Sequence, residues 1–558
     1  MHEAMKPLGG LRVPTRWVVL CAALWMCVGL LGREPYKPDE AYTVGLVKSI
    51  VESGDWVVPR LVGEPFMEKP PLFYVVAALA AQATSAWVPL HEGARLAVLL
   101  FVGVGLLAIG AAARALYGQG TGGNAVLLLL ATFGAAFRLH QLITDTALFA
   151  GIAIGQLGLI IARARDRWGG VVLGLGAVVA FMAKGLLGIG ILGLASMLLP
   201  AAQAWRTREF TRALAWAAAV AVPLIAVWPT ALYVRSPELF HVWFWDNNIG
   251  RFFGLNSLGP KNEPLFYVRL MPWYAWPCWP LLAWWGYRRL RGLDPTAGAG
   301  APLALLAVGF AVLSLASDAR ELYALVLLPP LAVLAAGGVR TVDARVQLQC
   351  ARAAALFALL LAAFVVGVWV IAWNDPTFVR RFPQLLALPE MRRPGALALT
   401  LYGLAALLLL ALLARSIHPR SASLPLAGAA GVALVWGSLM LPWHDYLDDL
   451  KGYSGVAASL RQALPVDACV ASIGLGESER ALLDYFIGLR TQRLEVHGTS
   501  TCPYLLVQVH ETASALAGAS CEAIWAGARP GHDTSSLALY RCGGGRTPPY
   551  DAARAIRR

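Results

Sequence analysis

Charge is what this chain has least of. Only 14% of its 558 residues are Asp, Glu, Lys or Arg, 58% are hydrophobic, and the mean hydropathy is +0.60. A soluble globular chain carries about 25% charged residues, so a cytosolic enzyme and a disordered chain are both excluded. Cysteine is sparse as well. Eight Cys in 558 residues, with no C-x-x-C pair and no His-rich run, rule out a small disulfide scaffold and offer no zinc or thioredoxin-like motif. There is no Gly-rich phosphate loop of the nucleotide-binding kind. The first apolar stretch lacks an A-x-A cleavage site, so it is expected to remain as an anchor.

Long apolar runs take the place of these features. Fourteen can be counted, roughly 16–32, 71–89, 94–117, 123–138, 144–163, 169–183, 186–203, 213–233, 268–286, 301–316, 320–338, 351–373, 396–414 and 424–443. The expected fold is an all-α polytopic membrane protein. Segment 71–89 follows Pro70 and carries Gln82, Thr84 and Ser85, and basic residues decide how it is read. With 71–89 lying in the interface and thirteen segments spanning, Arg114, Arg163/Arg165/Arg167, Arg206/Arg208/Arg212, Arg288/Arg289/Arg291 and Arg340/Arg345/Arg352 all fall in cytoplasmic loops. The N-terminus is then cytoplasmic and the C-terminus outside. The Trp-rich stretch from Trp273 to Trp285 reads as an interfacial aromatic belt.

Composition changes at His444. Residues 444–558 hold 11 Lys/Arg and 12 Asp/Glu, whereas 1–443 hold 35 and 21. Two domains are expected: a transmembrane domain, 1–443, whose outer loop 33–93 carries interfacial helices, and an extracytoplasmic α/β domain, 444–558. In the latter, 469–474, 494–498, 504–510 and 537–542 read as strands, and 452–464 and 477–488 as helices. Cys469, Cys502, Cys521 and Cys542 lie there, on the oxidising side, with three possible pairings and at least one disulfide expected. The domain is expected to serve acceptor access and to stay out of the chemistry.

Ionisable residues at the ends of apolar spans are costly, and their placement is informative. Asp39, Glu40, Glu68, Lys69, Asp145, Lys184, Asn248, Arg251, Asp318, Arg320 and Tyr323 all fall on the outer face in this topology. Such convergence points to one site at the membrane–water boundary, although each group alone could be a solvated loop residue, a helix-terminal acid or a snorkelling base.

The stretches Pro38-Asp39-Glu40-Ala41-Tyr42, Glu52–Pro59 and Gly63–Tyr74, followed in order by Arg95-Leu96, Thr144-Asp145, Ala183-Lys184-Gly185 and Asn248–Phe252, resemble the GT-C membrane glycosyltransferases. The similarity is to their aminoarabinose (lipid A) transferase branch, with the protein O-mannosyltransferases as cousins. It covers about residues 15–450. Three positions depart from the family pattern: Tyr42 stands where Arg is usual, Asn248 where His is frequent, and Leu186 where Pro follows Lys-Gly.

The resemblance implies an inverting transferase in the bacterial inner membrane. It would move a sugar from a polyprenyl-phosphate donor to a lipid A-like glycolipid, another envelope glycan or a protein. Asp39 and Glu40 would be catalytic. Lys69, Arg251 and Lys184 would bind the donor phosphate, and Glu68, Asp145, Asn248, Tyr323 and Arg320 the substrates. The resemblance fixes no cofactor; a divalent cation occurs in parts of the superfamily and would be the one to expect, though no ligand set stands out in the sequence. The rival class is a transporter or flippase of lipid-linked sugars, which favours internal repeats and charges near the bilayer midplane. The sequence has neither.

Overall fold

The computed structural model describes residues 13–256, 259–293, 297–381, 395–508, 521–529 and 536–543. The expected outer loop 373–395 lies largely outside the described residues, as do parts of the tail.

Each of the fourteen apolar segments is helical. Among the described residues six helices are long and apolar enough to cross a membrane: Leu90–Tyr117, Asp166–Lys184, Arg208–Arg235, Glu321–Val339, Ala344–Asn374 and Ala396–Ser416. Leu424–Met440 makes a seventh if it is joined to His444–Lys451, from which it is bent by 66°. Shorter apolar helices fill the bundle between them, among them Thr15–Cys27, Leu72–Thr84, Asp145–Ile161 and Gly300–Leu315.

Burial sorts these helices into an inside and an outside. Leu328–Val339 is buried throughout, so it forms the middle of the bundle. Ala344–Asn374 and Ala396–Ser416 leave Leu356, Phe357, Leu360, Phe364, Leu404 and Leu407 exposed. Large apolar side chains exposed in such numbers on neighbouring helices fit a hydrocarbon environment rather than water. Small residues let the inner helices approach closely: a Cβ on Gly158 would stand 2.3 Å from the backbone of Leu173, the close packing typical of membrane helices.

Between the first two long segments the chain forms the helix Asp39–Ser53, a two-residue antiparallel ladder (β1, Arg60–Leu61; β2, Glu64–Pro65) and the helix Leu72–Thr84. Gly54, in the left-handed region at φ 66°, ends the first helix. Pro71 precedes the second helix and leaves Lys69 in the turn at its start.

The tail forms a five-stranded sheet of order β4-β3-β5-β7-β6. Strands β3 (Val470–Ile473), β4 (Gln492–Arg493) and β5 (Tyr504–Gln508) run parallel. Strands β6 (Cys521–Gly527) and β7 (Leu537–Cys542) join antiparallel. Segment 494–498 was expected as a strand, but Leu494–His497 is a single helical turn, with Gly498 at φ 71° closing it. Strand β6 was not expected: its run Cys-Glu-Ala-Ile-Trp-Ala-Gly alternates poorly and is largely exposed on the sheet edge. Two disulfides form, Cys469–Cys502 and Cys521–Cys542.

The tail docks on the first loop. Helix Glu477–Ile487 packs along Asp39–Ser53 where Gly45 faces Ala481; a Cβ on Gly45 would lie 2.9 Å from that of Ala481. Ion pairs frame the contact: Lys37 with Glu479, Lys48 with Asp484 at 2.9 Å, and Arg480 and Arg493 with Glu64 at 3.0 and 2.8 Å.

Candidate functional site

Helix Asp39–Ser53 begins with its acids, where the positive end of the helix favours them. Asp39 and Tyr42, three residues apart, share a face, and the Tyr42 hydroxyl donates to Asp39 Oδ1 at 2.7 Å. The same hydroxyl accepts from Lys69 Nζ at 2.8 Å. Lys69 also lies 3.3 Å from Glu68 Oε2, and Glu68 Oε1 accepts from Arg251 Nη1 at 2.6 Å. Arg251 then donates to Asp318 Oδ2 through Nε at 2.9 Å and to the Tyr323 hydroxyl at 3.3 Å. Tyr323 itself donates to Asp318 at 3.0 Å. The Lys184 ammonium stands 4.1 Å from the centre of the Tyr323 ring and is paired with Asp145. Arg320 lies 4.0 Å from Asp318 and within electrostatic reach of Asp39.

These contacts join Asp39, Glu68, Lys69, Asp145, Lys184, Arg251, Arg320 and Tyr323 in one cluster, at the end of the bundle that carries the first loop. Eight of the ten expected site residues are therefore together. The cluster holds four carboxylates (Asp39, Glu68, Asp145, Asp318) and four cations (Lys69, Lys184, Arg251, Arg320), so its charges balance. Burial of Glu68 opposes its ionisation, yet Lys69 and then Arg251 hold its carboxyl down to about 2. Burial works in the same sense against Lys69, and Glu68 overrides it, raising the ammonium well above the ordinary lysine range.

Two of the expected site residues stand beside the cluster. Asn248 sits in a π-helical turn, Val242–Gly250, donating to Trp243 O at 2.8 Å and accepting from Leu186 N–H at 3.1 Å. It thus pins the Gly185 turn that presents Lys184. Gly185 has φ 64°, and a Cβ there would come within 2.4 Å of Asn248 Oδ1, so only glycine fits. Glu40 is turned away. Its two oxygens take both Arg33 amino groups at 2.5 and 2.6 Å and the N–H groups of Tyr36 and Leu142 at 3.1 and 2.9 Å. Those partners occupy both oxygens of a residue expected, with Asp39, to be catalytic. A carboxylate with four donors is a structural tie, and it holds the first loop to the turn that leads into Asp145.

Three further residues belong with the cluster although the sequence assigned them no role in it. Asp318, already counted among the converging outer-face groups, bridges Arg251 and Tyr323. Tyr42 bridges Asp39 and Lys69. The Tyr74 hydroxyl is buried without a hydrogen-bond partner among the described residues and within electrostatic reach of Lys69, Glu68, Asp39 and Asp145. A buried hydroxyl left unpaired costs about 1–3 kcal/mol, which a ligand would relieve. Among the described residues no group of three or more His, Cys, Asp or Glu is arranged to hold a metal ion, and three of the cluster's four carboxylates, Glu68, Asp145 and Asp318, are already paired with cations.

No family model matches the chain. Curated relatives do. A protein of Edwardsiella ictaluri is 29% identical over 344 residues, covering 58% of this chain and 59% of its own length. One of Serratia proteamaculans is 26% identical over 292 residues, covering 49% and 51%. Both are named undecaprenyl phosphate-α-4-amino-4-deoxy-L-arabinose arabinosyl transferase. The matches thus span about half the length of the curated relatives. Two solved structures of ArnT from Cupriavidus metallidurans, one in the apo state and one bound to undecaprenyl phosphate, superpose with TM-scores of 0.68 and 0.66 at 18% and 16% identity. Each alignment covers 96% of this chain and 99% of the other. The chain has the ArnT fold. The resemblance to aminoarabinose transferases read from its motifs is matched by these relatives and by the architecture.

Proposed function

We propose that this protein is an inverting GT-C glycosyltransferase that moves a sugar from a polyprenyl-phosphate donor to a glycolipid acceptor. The observation that carries the reading is the cluster itself, in which four cations, Lys69, Lys184, Arg251 and Arg320, stand at a bundle end with carboxylates between them. A lipid-linked donor keeps its tail in the hydrocarbon and its phosphate at the boundary, so it needs cations there and no nucleotide loop. Lys69 and Arg251, with Lys184 beside them, would stabilise the charge that develops on the leaving phosphate. Asp39, half-buried and at the outer end of the chain of contacts, would accept a proton from an acceptor hydroxyl or orient an acceptor already ionised. Direct displacement at the anomeric carbon inverts its configuration. Asp145 and Asp318 hold Lys184 and Arg251 in place. The relatives' names supply the sugar of first choice, 4-amino-4-deoxy-L-arabinose, and a lipid A-like acceptor follows from the resemblance.

The same reading places the protein in the bacterial inner membrane with the cluster outside. Thirteen spans are reached by adding to the seven above the short apolar helices Thr15–Cys27, Thr121–Leu130, Asp145–Ile161, Leu186–Ala201 and Gly300–Leu315, and the pair Phe266–Tyr274 and Cys278–Leu290, broken at Pro277. Helix Leu72–Thr84 is left in the interface. In a cysteine-free background, Lys261→Cys should be labelled from outside and Gln119→Cys should not; the reverse overturns the topology. Mass spectrometry of lipid A, other envelope glycans and polyprenyl-linked sugars tests the reaction. Cells with the wild-type protein should contain a glycosylated acceptor that cells with Asp39→Asn lack, while the lipid-linked donor accumulates. Identical profiles would remove the proposed activity.

A further inference from the structure

Lys69 has two acceptors of different character. Glu68 is charged and lies 3.3 Å away; the Tyr42 oxygen is neutral, stands 2.8 Å away, and donates its own hydrogen bond to Asp39 at 2.7 Å. We infer that Tyr42 is a positioning residue that fixes the Lys69 ammonium against the Asp39 carboxylate while a phosphate-bearing lipid is bound. The inference deepens the proposed function and rests on its assignment of Lys69 to the donor phosphate.

A lysine side chain is a point charge on a flexible four-carbon stem, and a bound phosphate does little to fix its direction. Glu68 cannot keep that role during binding, because its negative charge competes with the phosphate for Lys69 and Arg251. A phenol can. It accepts from the ammonium without cancelling its charge, and donation to Asp39 polarises its oxygen and strengthens the bond it accepts. The ring is itself held: Tyr42 is buried, its centroid lies 5.6 Å from that of Phe66, and the groups in electrostatic reach of its hydroxyl are Lys69, Glu68, Asp39 and Tyr74. The hydroxyl is therefore a fixed point between the residue that meets the leaving group and the residue that meets the acceptor.

Undecaprenyl phosphate is the probe. Its Kd would be measured in detergent for the wild type, Tyr42→Phe, Lys69→Met and the double variant. Tyr42→Phe keeps the ring and its packing and should weaken binding by roughly threefold to tenfold, the scale of one ordinary hydrogen bond. Lys69→Met should weaken it more. The double variant should bind no worse than Lys69→Met, because the hydroxyl acts through the ammonium, whereas an effect on the fold would multiply with it. In transfer assays Tyr42→Phe should lower kcat as well as raise KM, since Asp39 loses its donor. 3-Fluorotyrosine at position 42, which keeps the hydroxyl, should bind as the wild type does and covers the case in which Tyr42→Phe fails to fold. Wild-type affinity in Tyr42→Phe, a multiplying effect in the double variant, or a loss on fluorination as large as on deletion would overturn the inference. If Lys69→Met leaves the affinity unchanged, the phosphate assignment itself falls.

Discussion

If Lys69 and Arg251 hold the donor phosphate as proposed, Glu68 competes with it for the same two cations, and replacing Glu68 should tighten phosphate binding. Its carboxylate bonds Arg251 at 2.6 Å and faces Lys69 at 3.3 Å, the two cations assigned to the donor. Those cations depress its pKa from 4.5 to about 2 against the opposing effect of burial. At about 1.4 kcal/mol per unit, this amounts to roughly 3 kcal/mol of net preference for the charged form. Glu68→Gln removes the charge while leaving an oxygen for Arg251. Allowing half of that preference to survive in the neutral hydrogen bond, the expected gain in undecaprenyl phosphate affinity is roughly 1–2 kcal/mol, on the order of tenfold. Titration in detergent at pH 7 measures it, and a low-salt series should show the gain largest where screening is weakest. The unliganded variant should also lose thermal stability, because Lys69, Arg251 and Lys184 then face one another with less compensation. Equal or weaker phosphate binding by Glu68→Gln would refute the idea that carboxylate and phosphate compete for one pair of cations.

Glu40 supplies a pH test with the opposite emphasis. Burial opposes its charge, Arg33 and Arg95 override it, and its pKa sits at about 2 instead of 4.5. Its stabilisation is therefore complete above about pH 4.5 and is lost as pH falls toward 2. Glu40→Gln should lower thermal stability at pH 7, as breaking a buried pair costs about 3–5 kcal/mol, and should flatten the acid dependence; an unchanged melting profile would refute this. Thiol counting on the denatured, unreduced chain should find four free cysteines, Cys21, Cys27, Cys278 and Cys350, and eight after reduction. Eight before reduction would remove both disulfides. Ala481→Leu should push helix Glu477–Ile487 off Asp39–Ser53, against which Ala481 packs at Gly45, and cut transfer severalfold; full activity would show that the tail is dispensable to the site.

The membrane helices were legible because hydrocarbon leaves the chain little choice. A run such as Ala353–Trp373 must satisfy its backbone internally, so each apolar segment became a helix. Site membership was legible for a related reason: a charge at the end of such a run is expensive, and Asp145, Lys184 and Arg251 meet because each has a partner that offsets that cost. Sequence could not reveal which acid serves which partner. Asp39 and Glu40 are adjacent, yet a helix turns about 100° per residue, so one faces Tyr42 and Lys69 and the other faces Arg33 and Leu142. The ambiguity of Leu494–His497 is different in kind. Four residues are too few for either periodicity to assert itself, and the positive φ of Gly498 decided the matter.

The tail was expected to stand apart from the chemistry because it carries no motif residue. Its docking argues otherwise. The helix that begins with Asp39 is held from one side by Lys69 through Tyr42 and from the other by helix Glu477–Ile487, with Ala481 fully buried between them. The ion pairs at Lys37, Lys48 and Glu64 bracket the same helix along its length. Glu477, at the start of the docking helix, lies within electrostatic reach of both Glu68 and Lys69. A domain that presses on the helix bearing the proposed base, and places a carboxylate near the proposed phosphate cations, shares the setting of both. Movement of the tail would change the separation of Asp39 from Lys69 before it changed access for an acceptor, so acceptor entry and the alignment of the reacting groups belong to one mechanical unit.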